Sequence, residues 1–179
     1  MRLFFAVDVP PLPPWEPGAL RPSATAPEHI TIRFLGDVPA DRVADLKRAG
    51  TTAAAGLRPF SVELARIGAF PSGRSPRIVY VAATAGASEL EELATRVTDA
   101  LARIGIPPDP RSFVAHVTWR RVRSAQDRDV ARARLAEGTL QRPITTVVRA
   151  LLLKESELSS AGAAHRVVAA FPLGAGTDP

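Results

Sequence analysis

The chain has three histidines, His29, His116 and His165, and the first two share a local pattern. Each is followed two residues later by a threonine, Thr31 and Thr118, and then by arginine: Arg33 in the first case, Arg120 and Arg121 in the second. EHITIRFLG and AHVTWRRV therefore both read His-apolar-Thr-apolar-Arg. On a β-strand, residues i and i+2 share a face. His29, Thr31 and Arg33 are expected to project together, with Ile30, Ile32 and Phe34 turned into a core. His116, Thr118 and Arg120 are expected to share a face opposite Val117 and Trp119. An imidazole, a hydroxyl and a guanidinium on each of two strands suit phosphoryl transfer. Two imidazoles can divide general-acid and general-base work near neutral pH. Threonine hydroxyls can donate to the non-bridging phosphoryl oxygens. Arginines can stabilise the charge that builds on a five-coordinate phosphorus. Opening a strained cyclic phosphate in line needs a base on the attacking water and an acid on the leaving oxygen, from opposite sides. This chemistry calls for no metal ion and no cofactor, and none is expected. A histidine on a strand is more often a hydrogen-bonded structural residue, so the weight lies on the matched pair, not on either motif alone.

The two motifs need strands to carry them, and the patterning supplies these. RLFFAVDV (2–9) is rich in β-formers and ends at prolines. Residues 10–27 carry seven prolines and read as a surface loop. EHITIRFL (28–35) alternates cleanly and stops at Gly36-Asp37. A helix is expected over 39–55, a strand over 60–67, a turn-rich loop over 68–76 and a strand over 77–83. The clearest helix is 88–104, where Leu90, Leu93, Val97, Leu101 and Ile104 draw one apolar stripe. Ser88 and Glu91 have the spacing of a capping box, and Gly105 and Pro107 end the helix. A strand over 113–121, a charged helix over 126–137 closed by Gly138, and strands over 144–153 and 166–173 complete the chain, with a frayed tail from Gly174. The order β-β-α-β-β-α-β-α-β-β argues for an α+β fold built from antiparallel strands. The echo between the motifs suggests two related lobes facing each other across a cleft, each giving one His-x-Thr strand to a single domain over 1–179.

With 179 residues there is room for one domain with a substantial core, and 46% hydrophobic with 23% charged residues is globular in balance. No apolar run is long enough to span a bilayer, and the N-terminal stretch, interrupted by Asp8 and Pro10, reads as a strand and not as a signal peptide. Without cysteine, thiol nucleophiles, disulfides and thiolate metal sites are excluded, and a cytoplasmic location is expected. The net charge of +5 comes almost wholly from arginine, Lys47 and Lys154 being the only lysines. Arginine suits phosphate recognition, although the abundance of Ala, Arg, Pro and Gly points more strongly to a compositional bias of the genome as the main source of the charge.

These residues resemble the 2H phosphoesterases, and within them the RNA 2′,3′-cyclic phosphodiesterases, historically called 2′-5′ RNA ligases. The resemblance covers most of the chain. RLFFAVDVP is similar to the family's first strand, and EHITIRFLG and FVAHVTWRR to its two His-x-Thr strands. ARIGAFPSGRSPRIVYVA is similar to a Gly-Phe loop before an aromatic-containing strand, and LLLKESELSSAGAAHRVVAAFPL to the closing segment. The resemblance implies two pseudo-symmetric lobes, His29 and His116 as catalytic, and Thr31 and Thr118 as phosphate-holding. It also implies metal-independent hydrolysis of an RNA or nucleoside 2′,3′-cyclic phosphate to a 2′-phosphate. By analogy His29 protonates the departing 3′ oxygen and His116 activates water, although the reverse assignment stays open. The chain departs from the pattern at Ala115, where proline is usual, at Trp119, where an aliphatic residue is usual, and at His165, where tyrosine is frequent. The family's second-motif arginine aligns with Arg121, whereas alternation favours Arg120; a bulge would reconcile them. His165 is read as a surface or cleft-rim residue. Phe5, Phe34 and Phe70 are candidates to stack on a base, with core packing as the competing role for each. The expected partners are RNA ends or small cyclic nucleotides, with no membrane, no obligate protein partner and a monomeric state. Two alternatives stand beside this: an RNA-binding module with a similar cleft and little catalysis, and an enzyme that joins or cleaves 2′-5′ linkages.

Overall fold

The computed structural model describes residues 1–15, 28–159 and 162–174. The part of the proline-rich loop over 16–27, and the tail beyond 174, lie outside these residues. The elements run β1 (Arg2–Val9), β2 (Glu28–Asp37), a single 3-10 turn at Ala40–Arg42, α1 (Val43–Ala54), β3 (Phe60–Phe70), β4 (Ile78–Ala85), α2 (Ala87–Ala102), β5 (His116–Arg121), α3 (Ala125–Glu137), β6 (Thr139–Val148), β7 (Ala150–Ser159) and β8 (Gly162–Pro172). The fold is α+β, as the sequence predicts. Its strands form one eight-stranded sheet in the order β6-β3-β4-β5-β2-β1-β7-β8, and every neighbouring pair is antiparallel. The two histidine strands, β2 and β5, are the inner pair, joined at Ile30 opposite Val117. They divide the sheet into two four-stranded halves. The half beyond β5 uses only β3 to β6 and is continuous in sequence. The half beyond β2 is assembled from both ends of the chain, β1 and β2 with β7 and β8.

One face of the sheet carries the core. Leu3, Phe5 and Val7 on β1, Ile30 on β2, Val79 and Val81 on β4, Val117 on β5 and Leu151 and Leu153 on β7 are all essentially inaccessible to solvent. Helices α1 and α2 cover this face: they pack on each other, α1 reaching β7 and β8, and α2 reaching β2 and β4. The apolar stripe of α2, Leu90, Leu93, Val97 and Leu101, is fully buried, as its spacing requires. Close approach of α1 depends on Gly50, where a Cβ would lie 2.4 Å from the ring of Phe171 on β8. Among the described residues no helix is long and apolar enough to cross a membrane.

Several expectations are corrected. The strand expected over 144–153 is two strands, β6 and β7, separated by Arg149 alone. β6 is one edge of the strand order and β7 is next to the other edge, so the sheet must curl until its β6 edge approaches β1 and β7, and β6 does contact β1. A continuous β-pattern cannot show where a chain leaves one half of a sheet for the other. Helix α2 starts from Gly86 at φ 75, and Ser88 donates to Glu89 in place of a capping box. The true capping box is at α3, where the Ser124 hydroxyl accepts from Asp127 N at 3.0 Å and the Asp127 carboxylate accepts from Ser124 N at 3.2 Å. Strand β3 runs on to Phe70, so Gly68 is inside a strand and not a loop.

Candidate active site

The face opposite the helices carries the chemistry. Along β1, Leu3, Phe5 and Val7 point to the core, so Phe4, Ala6 and Asp8 point the other way. The register sets Asp8 opposite His29, Ala6 opposite Thr31 and Phe4 opposite Phe34. On the other half, Ala82 stands opposite His116, Tyr80 opposite Thr118 and Ile78 opposite Arg121. Cross-strand partners share a face, so these residues line one surface. Continuing the register of Ile30 and Val117 by one residue each way sets His29 against Thr118 and Thr31 against His116. The two imidazoles then occupy a diagonal, with backbones about 7–8 Å apart, and the two hydroxyls occupy the other.

Each strand carries a bulge at the apolar residue after its threonine. Ala6 pairs Thr31 while Phe5 pairs Arg33, which leaves Ile32 over. Tyr80 pairs Thr118 while Val79 pairs Arg120, which leaves Trp119 over. A bulge turns every later side chain to the other face. Arg33, expected beside His29, therefore lies with buried Phe5, and its guanidinium donates to the carbonyl of Pro107 beyond α2. Arg120 lies with buried Val79, and its Nε meets the Asp127 carboxylate at 2.8 Å. Arg121 is turned onto the histidine face instead, exposed, with its guanidinium bonded to no described residue. By the same shift Phe34 leaves the core it was expected to enter: it is 40% exposed and lies under the Arg2 guanidinium at 5.1 Å. Phe5 is wholly buried in the core and out of reach of a base. Phe70 is on the histidine face, its ring 5.1 Å from that of His116.

The two imidazoles sit in different surroundings. His116 packs against Phe70 and against Tyr80, whose ring is 5.0 Å away. Tyr80 lies over Gly68, where a Cβ would come within 2.5 Å of its ring, so the strand needs glycine there. His116 Nδ1 is 2.7 Å from the Val114 carbonyl oxygen. A carbonyl only accepts, so Nδ1 carries the hydrogen and the neutral ring has its lone pair on Nε2. Burial lowers the His116 pKa, and the Val114 bond partly opposes that. His29 packs against Phe4 at 5.1 Å and edge-on against His165 at 4.9 Å. Behind them Lys154 of β7, only 3% exposed, forms an ion pair with Asp8. Burial, then His165, then Lys154 push the His29 pKa down to about 4. His165 is lowered by burial and by Lys154, with Asp8 opposing. Among the described residues no group of three or more His, Asp or Glu side chains is placed to hold a metal ion.

The sequence profile of the LigT-like phosphoesterases matches the chain twice, over residues 16–80 and 81–165, once around each His-x-Thr motif. The chain belongs to the LigT-like phosphoesterases. It is 31% identical over 185 residues to an RNA 2′,3′-cyclic phosphodiesterase of Archaeoglobus fulgidus, an alignment covering 96% of this chain and 99% of that one. To the protein of the same name from Aeropyrum pernix it is 30% identical over 140 residues, 78% of each chain. A crystal structure of a Thermus thermophilus protein superposes with a TM-score of 0.70 at 24% identity, covering 97% of this chain and 98% of that one. Escherichia coli LigT, crystallised with 3′-AMP, gives 0.69 with the same identity and coverage. The doubled match of the LigT-like phosphoesterase profile is the internal echo of the two motifs seen from outside the chain.

Sequence reasoning missed four residues of this LigT-like phosphoesterase face, Phe4, Asp8, Tyr80 and Lys154, whereas His165 stands exposed at its rim, its ring beside those of His29 and Phe4. Two had a signal. Lys154 is one of two lysines and interrupts the apolar run LLL, and Tyr80 is the single tyrosine, set in an apolar strand.

Proposed function

We propose that this phosphoesterase hydrolyses the 2′,3′-cyclic phosphate of an RNA end or a small nucleotide to a 2′-phosphate, by acid–base catalysis between His29 and His116 and without a metal ion. The observation that carries this reading is the antiparallel pairing of Ile30 with Val117, which, continued one residue each way, sets two imidazoles and two hydroxyls on crossing diagonals, with Arg121 turned to the same face. A phosphate over that diagonal would take hydrogen bonds from Thr31 and Thr118, with an imidazole on either side of phosphorus. His116 is the base: its Nε2 lone pair takes a proton from water as the water oxygen bonds to phosphorus. His29 is the acid: it gives its proton to O3′ as the P–O3′ bond breaks. One imidazole gains the proton the other loses, and exchange with solvent resets the pair. Arg121 meets the developing charge. Phe70 and Tyr80 on one side, and Phe34 on the other, offer ring faces to bases. The names of the relatives, and the binding of 3′-AMP by Escherichia coli LigT, agree with a nucleotide substrate.

The test is incubation with a 2′,3′-cyclic nucleotide in EDTA. A 2′-monophosphate product from the wild type, absent with His29→Ala or His116→Ala, is the expected result. Binding without turnover would favour the RNA-binding module, and loss of activity on chelation would rule out the metal-free route.

A further inference from the structure

Lys154 is costly where it stands. A buried ammonium is tolerated only when paired, and an apolar side chain of similar size would fill the place at less cost. The other half of the sheet shows that the fold accepts this. The row across β2, β1 and β7 reads Phe34, Phe4, Lys154, and the matching row across β5, β4 and β3 reads Arg121, Ile78, Phe70. Where one half places an aromatic ring, the other buries a charge.

That charge reaches Asp8, the cross-strand partner of His29. His29 meets Asp8 from β1, Lys154 from β7 through its pair with Asp8, His165 from β8, and from β5 Thr118 directly opposite and His116 across the diagonal. We propose that Lys154 is a positioning residue for the reaction: held by Asp8, its buried charge keeps His29 and its neighbour His165 neutral in the empty cleft, so that His29 takes up its proton only when the substrate's phosphate anion has arrived. The proposal rests on the acid role given to His29 above. An imidazolium beside a buried ammonium is unfavourable in the empty site. A phosphate anion over Thr31 and Thr118 reverses the local field and favours the protonated ring. The proton is thus supplied together with the group it is to leave on. The lowered proton affinities of His29 and His165, both with Lys154 among their causes, agree with this.

The experiment compares wild type, Lys154→Met and Lys154→Arg, following the His29 ring resonances by NMR across pH in the empty protein, and kcat/KM for a 2′,3′-cyclic nucleotide in parallel. In Lys154→Met the His29 midpoint should rise by at least about half a pH unit, and the kcat/KM profile should move the same way. Lys154→Arg keeps the charge and should restore both. A merely structural lysine would alter stability and leave the midpoint in place. If Lys154→Met does not fold, the double variant Asp8→Asn with Lys154→Met leaves no charge unpaired, and its His29 midpoint is compared with that of Asp8→Asn alone, so that only the lysine differs. An unmoved His29 in a folded variant, or an arginine variant shifted as far as the methionine one, overturns the inference. A wild type that binds but never turns over cyclic nucleotide overturns the proposed function instead, and the NMR comparison still decides the role of Lys154.

Discussion

The two halves of the sheet place the same motif in unlike settings. His116 is flanked by Phe70 and Tyr80 and tied by Nδ1 to a backbone carbonyl. His29 is flanked by Phe4 and a second imidazole, with the ion pair of half-buried Asp8 and buried Lys154 beside them. One ring is held with Nδ1 protonated and its Nε2 lone pair free. The other is pushed toward its neutral form by burial, by a second imidazole and by Lys154. Under the proposed mechanism the first suits the base and the second the acid, because the strands packed beside each motif differ.

The sharpest way to break this comparison is to remove each imidazole in turn. His29→Ala and His116→Ala should each lower kcat/KM for a 2′,3′-cyclic nucleotide by about 10²–10⁴-fold. A phosphodiester with a 4-nitrophenolate leaving group needs no acid, so on it His29→Ala should recover most of its loss and His116→Ala none. Equal recovery in both would erase the difference drawn between the halves.

The bulges give the next contrast. Arg121→Ala should reduce kcat/KM about 10–100-fold, as expected for the loss of a charge-assisted hydrogen bond to phosphate. Arg120→Ala should leave turnover alone and lower Tm through the loss of its contact with Asp127. Two glycines draw the same line. Gly68→Ala should displace Tyr80 from His116 and reduce kcat/KM by about 10-fold with little change in Tm. Gly50→Ala should cost about 1–3 kcal/mol of stability by crowding Phe171 and spare kcat/KM. A Gly68→Ala enzyme of full activity would show that Tyr80 has no part in holding His116.

The smallest effects are those of pH. Both imidazoles are lowered from 6.5, so the kcat/KM profile of the free enzyme should be a bell whose top lies below pH 6.5. The kcat profile should sit at higher pH, because bound phosphate favours the imidazolium. Stability follows the same shift. Above pH 6.5 His29 is neutral in both states and contributes nothing to the pH dependence. As pH falls toward about 4 the unfolded chain takes a proton that the folded site refuses, at about 1.4 kcal/mol per pH unit. His29→Gln should flatten part of that decline in urea melts between pH 6.5 and 4.5, and an unchanged slope would show that His29 titrates normally.

How much of this the residues announce varies from place to place. The spacing of Leu90, Leu93, Val97 and Leu101 is enough for α2, because one helical face must be apolar to be buried. Alternation is enough to put His29 with Thr31 and His116 with Thr118, because nothing interrupts the pleat between them. It fails one residue later, at Ile32 and Trp119, because a bulge is chosen by the partner strand and leaves no mark in its own strand's pattern. Arg33, Arg120 and Phe34 stand on the faces opposite to those that alternation predicts for that reason. Phe5 reads as a stacking candidate because one strand cannot show which of two adjacent phenylalanines, Phe4 or Phe5, faces the helices.

Local pattern thus determined the α+β class, the clearest elements and the four residues on which the proposed chemistry turns, since each depends only on neighbours two to four positions away. Between Arg120, which alternation favours, and Arg121, which the family resemblance favours, tertiary structure set Arg121 on the histidine face, and it decided which rings flank the imidazoles and that Asp8, Lys154 and His165 gather around His29. Those residues come from the two ends of the chain, and only the docking of β7 and β8 beside β1 brings them together. Charges so far apart in sequence have no local signature, and their mutual field exists only once the sheet has closed.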